Sequence, residues 1–584
     1  MIKKLARYIN GYKKDSILTP IFVMLEVIME VLIPFLMADL IDKGIDGGNI
    51  PLIIKLGVAL LIGAFISLFF GALAGKTAAT ASAGFAKNLR KGMFYNIQDF
   101  SFSNVDKFSN SSLITRLTTD VTNVQMSYQM IIRNAARSPL MLIFALTAAF
   151  GISSKLSLIF LTMIPVLGIG LYLIIKNAFP IFERVFKSYD NLNRIVQENL
   201  SGIRVVKSFI REEHEIDKFS KTSEEISKDF IKAEKLLAFN MPLMQFSVYS
   251  CMLLLSWFGA RAVVASGNNP ALGLSTGQLM SLITYTMQIL MSLMMLSMVL
   301  VMITISKASA RRIVEVLDEQ TDIKNPSSPI YEVKNGDIEF ENVNFKYSDS
   351  ADKLCLENIN IKIKSGETIG IIGGTGSSKT TLVQLIPRLY DVSSGAVKVA
   401  GIDVRNYDIE SLRKSVSMVL QKNVLFSGTI KENLKWGNPD ATDEEIKEAC
   451  SIAQADGFIE NFPDKYETYI EQGGTNVSGG QKQRLCIARA LLSNPKVLIL
   501  DDSTSAVDTK TDSHIRKELL SSMPNTTKII IGQRISSISE ADKILVMDDG
   551  KIVDYGTHEE LIKSSSIYRE VYESQSKGVL GSEA

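Results

Sequence analysis

Two stretches of this sequence carry residues suited to phosphate chemistry. Glu367–Ile386, ETIGIIGGTGSSKTTLVQLI, reads as an apolar strand, a glycine-rich loop and a helix. Within it Gly373, Gly374, Thr375, Gly376, Ser377, Ser378, Lys379, Thr380 and Thr381 follow phosphate-loop spacing. In such a loop, backbone N–H groups and a helix N-terminus cradle phosphates. Lys379 is placed to reach the outer phosphates and Thr380 to ligate Mg²⁺. One position departs: the glycine expected before the lysine is Ser378, whose Cβ restricts the backbone. The second stretch, Val477–Asp508, reads VSGGQKQRLCIARALLSNPKVLILDDSTSAVD. It is a glycine-rich turn, a helical run and a buried strand, VLIL, ending at Asp501 and Asp502. A buried strand with acids at its exit presents carboxylate to a bound metal–phosphate. Together the two stretches predict a P-loop nucleotide-binding domain.

The elements that must position these residues are α/β in pattern. Ile338–Tyr347 alternates like a strand, and repeated strand-then-helix segments follow from Gly336, predicting a largely parallel sheet. The domain is expected over 336–576, with a tail at 577–584. A charged linker ending in NPSSP is expected over 311–335. The chain has 584 residues, long enough for about two to four domains, and its 63 basic and 62 acidic residues exclude a footprint for a nucleic-acid partner. Cys251, Cys355, Cys450 and Cys486 are scattered without metal-like spacing, which suits a reducing compartment.

Residues 17–310 read differently. Six apolar stretches reach the ~20 residues that cross a bilayer: near Ile17–Leu40, Leu56–Ala74, Ile131–Ile152, Leu156–Ile175, Leu236–Val264 and Leu279–Ile305. The connections near Asp42–Pro51, Ser153–Lys155 and Ser266–Gly277 are short and carry little positive charge. The stretches Lys76–Gln129 and Lys176–Lys235 are long, polar, rich in Lys and Arg, and helix-forming. That asymmetry places both termini in the cytoplasm of a cell-membrane protein. Turn signals in Ser111–Val121 and Glu198–Glu215 predict short crosswise helices there. Residues 1–16, with five Lys and Arg, read as a helix on the cytoplasmic membrane surface, and no cleavable signal peptide is evident. Glu26 and Glu30 share one face of the first span, where ionisable groups are costly and mark functional candidates. Met287, Met291, Met294, Met298 and Met302 recur at helical spacing on the sixth. Such a soft stripe suits varied apolar ligands, so these residues are candidates for a cavity taking amphipathic compounds, cationic ones included.

With SGGQ followed by QR just ahead of LILDD, the chain resembles the ATP-binding-cassette (ABC) exporters, specifically half-transporters with six spans and one nucleotide-binding domain. The resemblance covers almost the whole chain. It implies an α-helical exporter-type transmembrane domain fused to an α/β P-loop ATPase that uses ATP and Mg²⁺. Tyr347 resembles the aromatic that stacks on adenine. Gln421 resembles the glutamine that contacts Mg²⁺ and the transmembrane part. Glu471 and Gly473 occupy the place of a loop that touches coupling helices. Ser478, Gly479, Gly480 and Gln481 resemble the signature that closes over a partner domain's ATP. Asp501 resembles the metal-sphere aspartate, and Ser505–Asp508 the loop that follows it. The two long inner stretches resemble the loops that carry coupling helices.

Two further positions depart from the family pattern. The family's catalytic glutamate corresponds to Asp502, and its switch histidine to Gln533. The three histidines, His214, His514 and His558, lie elsewhere. A base must reach the attacking water, and Asp502 is shorter by one CH₂. Neutral Gln533 lacks the protonation states of an imidazole. Ser378, Asp502 and Gln533 all fall on one nucleotide site. The pattern therefore resembles the degenerate subunit of heterodimeric bacterial multidrug exporters. The expectation is a poorly hydrolysing site in this chain, an intact signature serving a second half-transporter, and an amphipathic cargo. A homodimeric lipid or peptide exporter is the alternative of the same fold. An ATP-gated channel or regulatory membrane protein is the alternative of another class, although the sequence shows no polar pore ring.

Overall fold

The computed structural model describes residues 1–270, 272–348 and 351–580, leaving aside the side chains at 183, 186, 190, 305 and 577–580. It divides into two compact units, one of Met1–Gln98 with Asn110–Glu319, the other of Asp99–Ser109 with Gln320–Ala584.

The first unit contains six helices long and apolar enough to cross a membrane, among the described residues. Their main segments are Lys13–Asp39, Ile50–Gln98, Val121–Ile152, Ser154–Ser201, Asn240–Ser266 and Thr276–Asp318. Buried Val23, Val27, Met141, Ala145, Leu167, Cys251, Leu282 and Ile289 pack these helices together. Pro34 lies inside the first helix and has no N–H to offer the carbonyl of Glu30. Gln288 on the sixth helix donates to that carbonyl at 3.2 Å, and Tyr285 donates to the Val31 carbonyl at 2.8 Å. Neighbouring side chains thus satisfy backbone that lipid could not.

Several boundaries differ from expectation. The N-terminal segment is not one helix over 1–16. Ile2–Leu5 and Ala6–Ile9 are short turns, the chain breaks at Gly11 (φ +89°), and Lys13 already belongs to the first span. Residues 311–318 are not linker: they continue the sixth helix, because Ile313 and Val316 are fully buried and Arg312 pairs with buried Asp120. The second inner stretch has its short helix at Ile203–Ser208, inside the expected region. The first does not. Ser111–Val121 stays helical through a π-turn at Arg116–Asp120, because Thr115, Thr118 and Thr122 bond back to carbonyls four residues earlier. The short helix lies upstream, at Phe102–Lys107, capped reciprocally by Ser101 and Asn104. The expected tail, 577–584, is helical backbone to Leu580 and beyond that lies outside the described residues.

In the second unit, β1 (Ile338–Phe345), β2 (Leu356–Ile363), β3 (Thr368–Gly373), β4 (Ser394–Val399) and β5 (Ile402–Asp403) precede β6 (Val416–Val419). Then come β7 (Gly428–Thr429), β8 (Tyr469–Ile470), β9 (Val497–Asp501), β10 (Thr527–Ile531), β11 (Lys543–Asp548) and β12 (Lys551–Gly556). The main sheet has the order β12-β11-β3-β10-β9-β6, parallel from β11 to β6. An antiparallel sheet, β2-β1-β4-β5, accompanies it, and β7 pairs with β8. Strand β9 is buried at every position. Its exit and that of β3 lie at the same sheet edge, because Ile531 of β10 is in register with both Asp501 and Ile371. That edge is where open α/β sheets bind ligands.

Candidate functional site

The loop leaving β3 is shaped by glycine at defined points. Gly373 has no room for a Cβ, which would sit 2.1 Å from the Met547 carbonyl oxygen. Gly374 and Gly376 face open space, and Gly376 has φ +85°. Exposed Thr375 lies between them, and buried Ser377 donates its N–H to the Gly374 carbonyl. Ser378 sits in the left-handed region at φ +68°. For a residue with a Cβ that conformation costs about 1–2 kcal/mol. The loop therefore keeps the geometry that the expected glycine would adopt freely, and Ser378 is held there.

Lys379 folds back onto this loop, donating to the carbonyls of Gly373 (2.9 Å) and Gly374 (2.8 Å) and to Ser377 Oγ (3.2 Å). Burial lowers its pKa, opposed by the charges of Asp501 and Asp502. Thr380 donates to Asp501 Oδ1 at 3.1 Å. The other oxygen, Asp501 Oδ2, is buried without a hydrogen-bond partner among the described residues. A hydroxyl beside an orphaned carboxylate oxygen is a donor set that fits a small hard cation. Burial raises the Asp501 pKa, helped by the neighbouring charge of Asp502 and opposed by the Thr380 hydrogen bond.

Asp502 has φ +47° and turns back toward Gln533, whose Nε2 donates to its Oδ2 at 2.7 Å. Burial raises the Asp502 pKa, against hydrogen bonds from Gln421 and Gln533. The expected base position, switch position and Gln421 are thus gathered around one carboxylate.

Tyr347 is about half exposed, with its hydroxyl bonded to Thr381 at 2.9 Å. Its ring meets Phe345 and Tyr390 edge-on, at 4.9 and 5.1 Å between centroids. Tyr390 in turn donates to Asp106 at 2.6 Å and meets Phe102 edge-on, both on the short helix Phe102–Lys107. Tyr390 was not legible as a site residue; RLYD offered only an aromatic after a helix.

The signature residues lie at the start of the helix Gly479–Leu491. Ser478 Oγ accepts from the Gln481 N–H, and Gln481 Oε1 accepts from the Ser478 N–H. Ser478 and Gly479 are exposed. A Cβ on Gly480 would sit 2.9 Å from the Ala506 carbonyl oxygen, so glycine allows the loop after β9 to approach. Gln483, also missed, clasps that loop through Ser505 and the Ala506 N–H. Asp508 caps the helix Thr509–Ser522 through the Thr511 N–H. Glu471 and Gly473 (φ +74°) form a turn at the end of β8, with Glu471 exposed.

In the first unit a cavity of about 830 Å³ is lined by Glu30, Met287, Met291 and Met294. Glu26 and Met298 do not line it. Glu26 is 6 % exposed, and Met298 points elsewhere at 56 %. Both carboxylates are engaged by Arg137, which donates to Glu26 at 3.0 Å and to Glu30 at 2.7 Å. That pairing had no local signal, because the partners lie on different spans.

Comparison with known proteins gives a consistent result. Residues 16–294 match the family described as ABC transporter transmembrane region, and residues 356–505 match the family ABC transporter. The chain is 36% identical over 574 residues to an uncharacterized ABC transporter ATP-binding protein, YfiB, of Bacillus subtilis, covering 98% of each chain. It is 33% identical over 490 residues to the ATP-dependent lipid A-core flippase of Desulfotalea psychrophila, covering 84% of each. Its fold superposes with a TM-score of 0.82 on a bacterial Atm1-family ABC exporter solved with ATP bound. That match is 23% identical and covers 96% of this chain and 99% of the other.

Proposed function

We propose that this chain, which belongs to the ATP-binding-cassette transporters and is an ATP-driven exporter half-transporter with six apolar spanning helices, works as the degenerate-site subunit of a heterodimer. Its cargo is amphipathic, and its termini and ATP-binding unit face the cytoplasm. ATP sits between the phosphate loop of one chain and the signature of the other. Tyr347 stacks on adenine, and the loop from Gly373 to Thr381 holds the phosphates. Thr380, Asp501 and Gln421 hold Mg²⁺, which when bound neutralises charge developing on the phosphates.

The observation that carries this reading is the Gln533–Asp502 hydrogen bond of 2.7 Å. A carboxylate that must accept a proton from water is too short by one CH₂ and is already occupied by an amide. Poor positioning and missing switch chemistry together slow hydrolysis by orders of magnitude. Ser478 and Gly479, exposed and well capped, remain available to a partner's nucleotide. Hydrolysis at the site completed by the partner's phosphate loop then resets the transporter. The test is the ATPase of this chain purified alone and together with the half-transporter that co-purifies from its native membrane. Turnover only in the pair is expected; brisk turnover by the chain alone would sink the heterodimer. The second reading is a homodimeric lipid exporter, whose lipid cargo the relative named as a lipid A-core flippase supports, and the same assay separates the two.

A further inference from the structure

We propose that the cavity of the first unit binds the anionic headgroup of an amphipathic molecule at Arg133, with the apolar part of that molecule lying against methionine. This deepens the amphipathic-cargo reading above and rests on it. The cavity is walled by the first, third and sixth spanning helices. Arg133 and Arg137 are four residues apart and line the same face of the third. Their situations differ. The fork of Arg137 is occupied by Glu26 and Glu30. Arg133 makes no hydrogen bond or ion pair among the described residues.

The cavity wall therefore presents two guanidinium groups and one carboxylate, Glu30, since Glu26 lies behind it. Arg133, Arg137, Glu26 and Glu30 balance in charge, but both carboxylates are held by Arg137, so a cation entering this space finds its natural counter-charge already taken. A guanidinium whose donors are open in a membrane-embedded cavity is costly and marks a substrate or ion pathway. The planar fork suits phosphate or carboxylate, which accept two parallel hydrogen bonds. Polar groups line the same cavity: Asn134 lies beside Arg133 on the third helix, and Gln288 Oε1, buried without a partner among the described residues, can accept from a headgroup hydroxyl. Across the cavity, Met287, Met291, Met294 and Met295 form an adaptable apolar surface. Polar and apolar ends within one cavity select an amphiphile over a simple anion.

The experiment uses the full chain, with whatever half-transporter accompanies it, in phosphatidylcholine nanodiscs without nucleotide. Dodecyl phosphate and dodecyltrimethylammonium are titrated, and binding is read by native mass spectrometry. Dodecyl phosphate should bind about tenfold tighter than the cation, and Arg133→Gln should remove about that factor while Arg133→Lys retains most of it. Unchanged dodecyl phosphate affinity in Arg133→Gln, or preference for the cation, overturns the proposal. Should Arg133→Gln fail to fold, Met291→Trp fills the same cavity from the opposite wall. It must abolish dodecyl phosphate binding, and retention likewise overturns the proposal. Phosphatidylglycerol added to the nanodisc identifies the source: competition assigns the site to a lipid headgroup, and its absence to a free amphiphile, both being anions held at Arg133. Binding is read without hydrolysis, so an ATPase result that sinks the heterodimer leaves this result standing, and the reverse also holds.

Discussion

The two ends of Val477–Asp508 are built to different standards. At the signature end, Ser478 has an ordinary extended backbone (φ −69°), its cap is reciprocal, and Gly480 supplies the close approach the next loop needs. At the acidic end, Asp502 has φ +47° and Ser378 φ +68°, one oxygen of Asp501 has no partner among the described residues, and Gln533 donates to Asp502. Strain and unsatisfied polar atoms persist where a ligand or a function compensates them. Ser378, Asp502 and the Asp501 oxygen are three such features among others in the chain, and they fall on its own phosphate-loop site, while the exposed signature is relaxed. The contrast fits a subunit whose own ATP is held and whose signature acts elsewhere.

The strongest way to break this contrast is at the relaxed end. Gly480→Val forces a side chain against the Ala506 carbonyl and should lower ATPase of the pair by about 10²-fold or more. ATP retained on this chain, measured by photo-crosslinking, should be spared. Equal loss at both sites would mean that the two ends are not separable. At the other end, Asp502→Glu combined with Gln533→His should raise hydrolysis at this chain's own site by about 10²-fold. Asp502→Glu alone should fall well short. Full recovery from the single change would remove the switch position from the argument.

Ser378→Gly should relieve about 1 kcal/mol of left-handed strain that is present without nucleotide and raise the melting temperature of the nucleotide-free chain by about 2–4 °C. An unchanged melting temperature would show that the loop relaxes around serine. The smallest effect concerns Asp501, whose folded pKa is raised by burial. Its buried carboxylate favours the protonated state, so its contribution to stability is present below the unfolded pKa and fades as pH rises through the folded one. Asp501→Asn should therefore raise the melting temperature without nucleotide at neutral pH. That gain should shrink as pH falls below the raised pKa, while binding of Mg²⁺ and ATP is lost. A gain independent of pH would assign the effect to packing.

Much of this was legible because it is local. Phosphate-loop spacing, the signature and the acid-tipped strand each sit within about ten residues, and apolar runs of bilayer length announce themselves. The short helix Phe102–Lys107 was misplaced because serine and threonine serve equally as caps and as residues bonding back within a helix. The true start was marked by the Ser101–Asn104 pair. The methionine stripe pointed to the cavity, yet its register could not say that Met298 would turn away from it.

The sequence by itself determined the local patterns: which residues match phosphate- and metal-binding motifs, which positions carry Asp and Gln where the family pattern has Glu and His, and which segments are apolar enough to span a bilayer. The tertiary structure decided which charges are free. Glu26 and Glu30 read as functional candidates on one helix face, and Arg137, more than a hundred positions away, pairs with both. Arg133, one turn earlier, makes no hydrogen bond or ion pair among the described residues. Pairing of charges across helices depends on packing register, and no spacing within one span encodes it.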